Sequence, residues 1–578
     1  MQPIKLLRLL VLAAIFVVAY FLLQAWRSDY VIGASSAPAA SEPAANLASN
    51  PATMAPPATG APVTGAPAND EANPLVPEAF NPSSAASGDT AASAPNAVVS
   101  GSLITVNTDL YLLQIDPAGG DIVSLKLKNY TTELDNNVPF TLFENDSRVY
   151  KAVSGLNGTD GIDVTSRAPF TAPAQNFDMG EAGELIVPLS YTDAAGRVFT
   201  KRFSFKRGEY PIDVSYQINN QSDTPWQGGF YAQLVRDASS DPGMQNNGFM
   251  GLATYLGAAW GTEADPYNKL KFKNFGDDAI NLSTDSGWIA MLQHYFLSSW
   301  LVPNDTQAQL SSNQSNGLYV MTMTLPQTTV APGTIGSMGA TLYAGPKLQD
   351  TLDQLNPTLD QTVDYGFLWP IAKVMFEILQ KIHSVLGNWG WSIIVLTILI
   401  KLAFLWISNK AYRSMAKMRL IAPKMQRMKE EFGEDRMRFS QEMMKLYKEE
   451  KVNPISGCLP LLIQMPFFLA FYWVLVESVE LRHAPWILWI QDLSSMDPYF
   501  ILPIFMGASM YVSQMLNPQP TDPTQAKVFK ILPIIFTAFM LFFPAGLVLY
   551  WTVNNLFTLT QQYVINKQIE KEAAAREA

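Results

Sequence analysis

Trp389–Ile407 is nineteen residues long and carries a single charge, Lys401. A helix rises about 1.5 Å per residue, so this run nearly matches a hydrocarbon core about 30 Å thick. A lysine inside such a core costs roughly 2.5–3.5 kcal/mol on the insertion scale. Two readings follow. Either a wet cavity needs a cation at that depth, or the long stem snorkels toward Ile407, six residues away.

The rest of the chain shares this character. Of 578 residues, 48% are hydrophobic and only 15% charged, and the long apolar runs cluster beyond residue 388. One further run, Leu9–Leu23, follows Lys5 and Arg8 near the N-terminus. Charge is divided by segment. From Arg27 to Leu368 there are 16 basic against 34 acidic residues; from Asn409 to Lys451 there are 12 against 7. Short basic loops stay in the cytoplasm, which places Asn409–Lys451 inside and frees the acidic middle to lie outside. A single cysteine, Cys458, excludes an intramolecular disulfide.

These features predict a polytopic α-helical membrane protein with six transmembrane helices and a large all-β sandwich. Residues 1–27 read as an uncleaved anchor, because Gln24-Ala25-Trp26-Arg27 is a poor cleavage site. Residues 28–100, rich in Ala, Pro and Ser, read as a disordered tether. Residues 101–345 alternate in short runs such as Val198–Phe205 and Tyr210–Ile218, separated by turns such as Pro117-Ala118-Gly119-Gly120. The connector 346–388 holds an amphipathic helix, Phe367–Leu386, expected at the outer interface or packed at the base of the β domain. On its polar face Lys373, Glu377 and Lys381 are spaced to pair.

Crossings are expected at 389–408, 456–478, 499–516, 528–543 and 546–565. They are joined by a cytoplasmic helical hairpin at 409–455, an outer loop at 479–498 and a cytoplasmic loop at 517–527; a tail follows at 566–578. Val528–Ile565 is too long for one crossing, since 38 helical residues would span about 57 Å. Pro544-Ala545-Gly546 offers the break.

Thr397 lies one turn before Lys401 on the same face. Gln464, Gln514, Asn554, Asn555, Gln561 and Gln562 fall in the other crossings. Together they could line a hydrated cationic groove; singly, each could serve as interhelical glue. The hairpin carries Met415, Met418, Met425, Met428 and Met444, together with Met437 and Met443. These could pack the hairpin's own seam or form a greasy, basic docking surface. No metal-ligand cluster, nucleotide motif or nucleophile–base pair stands out, and His294 is alone in its domain. No enzyme, no cofactor and no sequence-directed nucleic-acid binding are expected. A transporter or channel using the same cavity is the alternative, although no carboxylate sits near the midplane.

Several motifs carry a family resemblance. They are Gly387-Asn388-Trp389-Gly390-Trp391-Ser392, Tyr412-Arg413-Ser414-Met415-Ala416-Lys417-Met418, and Gly457-Cys458-Leu459-Pro460 through Gln464-Met465-Pro466. Asp492-Leu493-Ser494, Asp497-Pro498-Tyr499 and Phe543-Pro544-Ala545-Gly546 through Tyr550-Trp551 complete the set. In this order and spacing the chain resembles the YidC family of bacterial inner-membrane insertases, in its Gram-negative form with a large periplasmic domain. The resemblance implies a five-helix insertase core with a hydrophilic groove open to cytoplasm and lipid. It places the groove's positive residue, usually arginine, on Lys401, its aromatic position on Trp551, and polar positions on Thr397 and Gln514. It also implies nascent membrane proteins, the Sec translocon, the ribosome with the signal recognition particle pathway, and membrane lipids as partners. Lysine keeps the charge but lacks arginine's planar fork.

Overall fold

The computed structural model describes residues 101–577 except 135, 243–254, 433–434, 451, 453–458 and 517–522. The expected anchor and tether, Cys458 with the start of its crossing, most of the loop 517–527 and Ala578 lie outside the described residues.

Alternation in the sequence becomes two packed sheets. An eleven-stranded sheet runs from Asn281–Thr284 at one edge to Asn176–Asp178 at the other, through Trp226–Arg236, Val149–Asn157 and Asp121–Glu133. An eight-stranded sheet runs from Asn268–Leu270 to Glu184–Thr192, through Phe296–Leu301, Thr334–Pro346 and Pro211–Asn220. In Val198–Lys206, Phe199, Lys201, Phe203 and Phe205 are buried and their neighbours are not, the period of two that a half-covered strand requires. Three fully buried tryptophans, Trp226, Trp288 and Trp300, anchor the core. Polar rivets cross it: the Tyr150 hydroxyl lies 2.6 Å from Ser298 Oγ, and Trp300 Nε1 donates to the Gln233 carbonyl at 3.1 Å. Buried Lys201 donates to the carbonyls of Gly119 and Ser154 at 2.9 and 3.0 Å, and burial pushes its ammonium down to about 7.

The helices are Gln349–Leu355 (α1), Trp369–Leu386 (α2), Trp389–Ala403 (α3), Leu405–Leu420 (α4), Ala422–Phe432 (α5), Arg436–Glu449 (α6), Leu459–Glu477 (α7), Ile501–Met515 (α8), Pro523–Met540 (α9) and Ala545–Glu577 (α10). Gly387 ends α2 with φ +65°, and Asn388 caps α3 by accepting from the Trp391 N–H at 3.1 Å. This explains the Gly-Asn-Trp motif as a tight turn between helices. Helix α10 packs against α3, α4, α7 and α8, and α9 against α8. The α8–α9 contact is close at Gly507, where an added Cβ would meet Thr537 Oγ1. Residues 423–451, holding most of α5 and all of α6, form a compact unit of their own, closed by Lys424 and Glu450 at 2.6 Å.

Two expectations change. The run 389–407 is not one helix: it breaks at Phe404, and α3 and α4 diverge by 69°. No Pro or Gly marks the break; Lys401 in the last turn of α3 sits where a helix favours a cation. On α2, Lys373 pairs with Asp360 at 2.6 Å rather than with Glu377. That helix buries Ala372, Met375, Phe376 and Leu379 and leaves Val374 and Val385 exposed. Among the described residues no single helix is long and apolar enough to cross a membrane by itself; α3 and α4 qualify only together. The outer faces are nonetheless apolar. Ile504, Phe505, Val528, Ile534 and Ile535 are each more than half exposed, on the neighbouring helices α8 and α9.

The sandwich docks onto the C-terminal end of α7 and the segment after it. Arg482 Nη2 donates to the carbonyls of Thr131 and Thr132 at 2.6 and 3.1 Å, and His294 Nε2 donates to the Val476 carbonyl at 2.8 Å. Burial pushes the His294 imidazole down to about 3, helped by Lys347 and Arg482. An unfolded histidine titrates near about 6.5. The folded value is the lower one, so this contribution is full above about pH 6.5 and is lost as pH falls from there toward 3, at up to about 1.4 kcal/mol per unit. Glu480 works oppositely. Burial raises it to about 7, so its contribution is lost as pH rises toward 7. The expected result is a difference measurement. His294→Gln should melt progressively closer to, then above, wild type as pH is lowered from 6.5 to 5; a pH-independent difference would refute the buried imidazole's role.

Candidate functional site

Lys401 is nearly buried, 8% exposed, between α3, α7 and α10. Its Nζ donates to Gln464 Oε1 at 3.1 Å and to Thr558 Oγ1 at 3.0 Å. Both partners are neutral. Among the described residues no carboxylate lies within ion-pair distance of it. These two bonds engage two of the three ammonium donors and leave the charge without an opposite charge beside it.

Helical spacing explains how the neighbours arise. Trp551, Asn555, Thr558 and Gln562 follow at i, i+4, i+7 and i+11, one stripe of α10. Trp551 lies between Phe468 of α7, with ring centroids 4.5 Å apart, and Phe536 of α9 at 4.7 Å. Phe468 is one turn beyond Gln464 on α7. The aromatic group and the Lys401 cluster therefore share one face of α7, about one turn apart, and one of α10, about two turns apart. Further along the stripe, Asn555 Nδ2 donates to Ser509 Oγ at 3.3 Å, and Ser513 Oγ to Gln562 Oε1 at 3.4 Å, both on α8.

The structure thus brings Lys401 and Gln464 together and sets Trp551 and Asn555 on the same stripe. It treats Thr397 and Gln514 differently. Thr397 is buried, and its hydroxyl donates to the Ile393 carbonyl of its own helix at 2.7 Å. Gln514 Nε2 donates to the Phe529 carbonyl of α9 at 2.6 Å, at the α8–α9 seam. Thr558 was missed by sequence reasoning; its place seven residues after Trp551 was the available signal.

In the hairpin, Met425 is buried within its unit, and Met428 and Met444 are half-buried. Met418 is also half-buried, and Met415 packs against the cluster of Tyr412, Ala416, Ile565 and Ile569. Met437, 56% exposed, is the methionine of this segment most open to solvent among the described residues.

Two aspartates of the loop 479–498 explain further motifs. Asp497, wholly buried, accepts from Trp489 Nε1 at 2.9 Å and from the N–H groups of Tyr499 and Leu502 at 3.0 and 2.7 Å, fixing the start of α8. Asp492 folds the preceding turn through the N–H groups of His483 and Ser494. The N–H groups of Ala545 and Gly546 then donate to the carbonyls of Ser495 and Leu493 at 2.7 and 2.9 Å, pinning the α9–α10 turn to this loop.

The sequence matches two family models, one described as the YidC periplasmic domain over residues 103–378 and one as the 60Kd inner membrane protein over residues 381–572. The chain is 49% identical to the membrane protein insertase YidC of Pseudomonas putida F1, over 98% of this chain and 99% of that one. It is 50% identical to that of Stutzerimonas stutzeri A1501, with the same coverage. Among solved structures, an active YidC insertase with its first transmembrane domain resolved aligns over 80% of this chain and 93% of its own, at 17% identity and a TM-score of 0.36.

Proposed function

The chain belongs to the YidC family of membrane protein insertases, and on that premise we propose that the Lys401 cluster is the floor of its substrate groove. Its role in the inner membrane is insertion rather than catalysis, and the family decides against the transporter alternative. The groove consists of Lys401, Gln464, Thr558, Asn555 and Trp551; Thr397, bonded to its own helix, and Gln514, at the α8–α9 seam, flank it. One observation carries this reading: a nearly buried lysine bonded to two neutral side chains on two other helices.

The mechanism is physical. An incoming segment must move its polar tail through hydrocarbon before its apolar part enters lipid. A hydrated groove shortens the dry path, and the uncompensated ammonium attracts acidic residues of the tail. Lateral release follows, driven by transfer of about 20 apolar residues into the bilayer. The rings of Trp551 and Phe468 give that segment an apolar wall on its way out.

The topology proposed has six crossings, with the β domain outside and both termini inside. It is supported by the contacts of the sandwich with the C-terminal end of α7, by the exposed apolar faces of α8 and α9, and by the basic character of 409–451. The hairpin would receive nascent chains or the ribosome; its exposed Met437 and basic residues suit that better than its buried Met425. Cooperation with the Sec translocon and the signal recognition particle pathway belongs to the same proposal. Liposomes holding only this protein should insert a single-spanning substrate with a short acidic tail, measured by protease protection of that tail. If the tail stays accessible while substrate still binds, the protein acts as an assembly chaperone only.

A further inference from the structure

A second feature lies off the Lys401 groove. Helices α3, α4 and α10 enclose a cleft of about 490 Å³, and none of the groove residues lines it. Ile398, Leu556 and Phe557 make it apolar at one end. At the other end Arg413 and Gln568 stand beside Val564 and Ile565, so polar groups enter the lining only there and in the middle. Between the two ends Gln561 Nε2 donates to Asn409 Oδ1 at 2.6 Å, so the two amides in the middle are bonded to each other. The Arg413 guanidinium is exposed, with no carboxylate within ion-pair distance among the described residues.

Helix α4 extends the same polarity. Ser408, Ala411, Tyr412 and Ala416 are its buried face, and Trp406, Lys410, Arg413 and Lys417 form an exposed stripe at i, i+4, i+7 and i+11. Trp406 is 75% exposed, and the Lys410 ammonium lies 5.9 Å from its ring. Helix α4 turns 69° from α3, so with α3 directed along the membrane normal α4 lies nearer the membrane plane. A tryptophan with basic residues on such a helix suits the headgroup layer.

We infer that this cleft binds a phospholipid of the cytoplasmic leaflet with an anionic headgroup, its acyl chain against Ile398, Leu556 and Phe557 and its phosphate at Arg413. The order of the lining matches an amphiphile standing in that leaflet, apolar inward and cationic outward. Charge also selects among occupants. The chain's own apolar run Leu9–Leu23 would bring Lys5 and Arg8 against Arg413, Lys410 and Lys417, like against like. The inference rests on placing α4 at the cytoplasmic face, which can be checked separately: Arg413→Cys in a Cys458→Ser background should react with a membrane-impermeant thiol reagent only from the cytoplasmic side.

The test uses the full chain in vesicles, with a photoreactive residue in place of Leu556. Alkyne-tagged phosphatidylglycerol should be captured several-fold more than alkyne-tagged phosphatidylcholine. Arg413→Gln should equalise the two, with an unchanged melting temperature. Millimolar inorganic phosphate should not reduce capture. Equal capture of the two lipids by wild type would show bulk lipid only and overturn the inference. So would competition by phosphate, which would indicate a free-anion site, or adducts chiefly with the chain's N-terminal peptide or a second copy.

Discussion

Lys401→Ala and Lys401→Glu are expected to slow insertion of substrates with acidic translocated tails by roughly tenfold or more, whereas Lys401→Arg retains it. The size follows from the electrostatics. Two unit charges 4 Å apart attract by about 1 kcal/mol in bulk water and about 4 kcal/mol at an effective dielectric of 20. A partly hydrated groove lies between these limits, and about 1.4 kcal/mol is a factor of ten in rate. Glutamate reverses the sign and should be worse than alanine. Arginine keeps the charge and adds donors, so it suits the same acceptors, Gln464 and Thr558. Substrates with neutral tails serve as the internal control and should change little. The measurement is pulse-labelled insertion in cells depleted of wild type, at matched protein levels. If Lys401→Ala inserts acidic-tailed substrates at the wild-type rate, the lysine is only a snorkelling side chain and the groove needs another cation.

Legibility in the sequence followed the range of the interactions involved. The sandwich was readable because each strand declares its inner face locally: Val198–Lys206 alternates whatever it pairs with. The break between α9 and α10 was readable because Pro544 lacks the N–H that a continuous helix needs. The break at Phe404 was not, since leucines, an alanine and a tryptophan surround it and the bend shows only in the assembled helices. Site residues divide similarly. Lys401 was conspicuous as an isolated charge, and the resemblance pointed to Trp551. Thr558 is an ordinary threonine until the packing of α10 against α3 and α7 turns it toward Lys401. Thr397 looked available from its place on the face of Lys401, yet the Ile393 carbonyl takes its hydroxyl proton, an outcome that depends on a rotamer and not on spacing.

A reporter fused after Ala578 is expected to fluoresce in the cytoplasm, and an exported phosphatase at the same position to stay inactive. The charges of the tail do not decide this, because Lys567–Ala578 holds three basic and three acidic residues. The argument rests on Val528–Ile565 making two crossings. The helices on either side of the break supply it: α9 ends at Met540, α10 starts at Ala545, and the turn between them is held by Ser495 and Leu493 of the loop that also contacts the start of α8. That loop follows Arg482 and His483, which touch the β domain at Thr131, so the α9–α10 turn lies toward the β-domain side. Helix α10 is 33 residues long, about 50 Å at 1.5 Å per residue, and so extends about 20 Å past a hydrocarbon core of about 30 Å. With that turn at the outer face, as the proposed topology has it, the surplus would emerge on the opposite side, carrying Lys567 and the tail with it. On that proposed path Trp551 would lie within the outer half of the crossing and Thr558 deeper, the reverse of the order in which an acidic tail leaving the cytoplasm would meet them. An active phosphatase and a dark reporter would mean that α10 does not cross, and would detach the Trp551–Thr558 stripe from the depth at which Lys401 needs it.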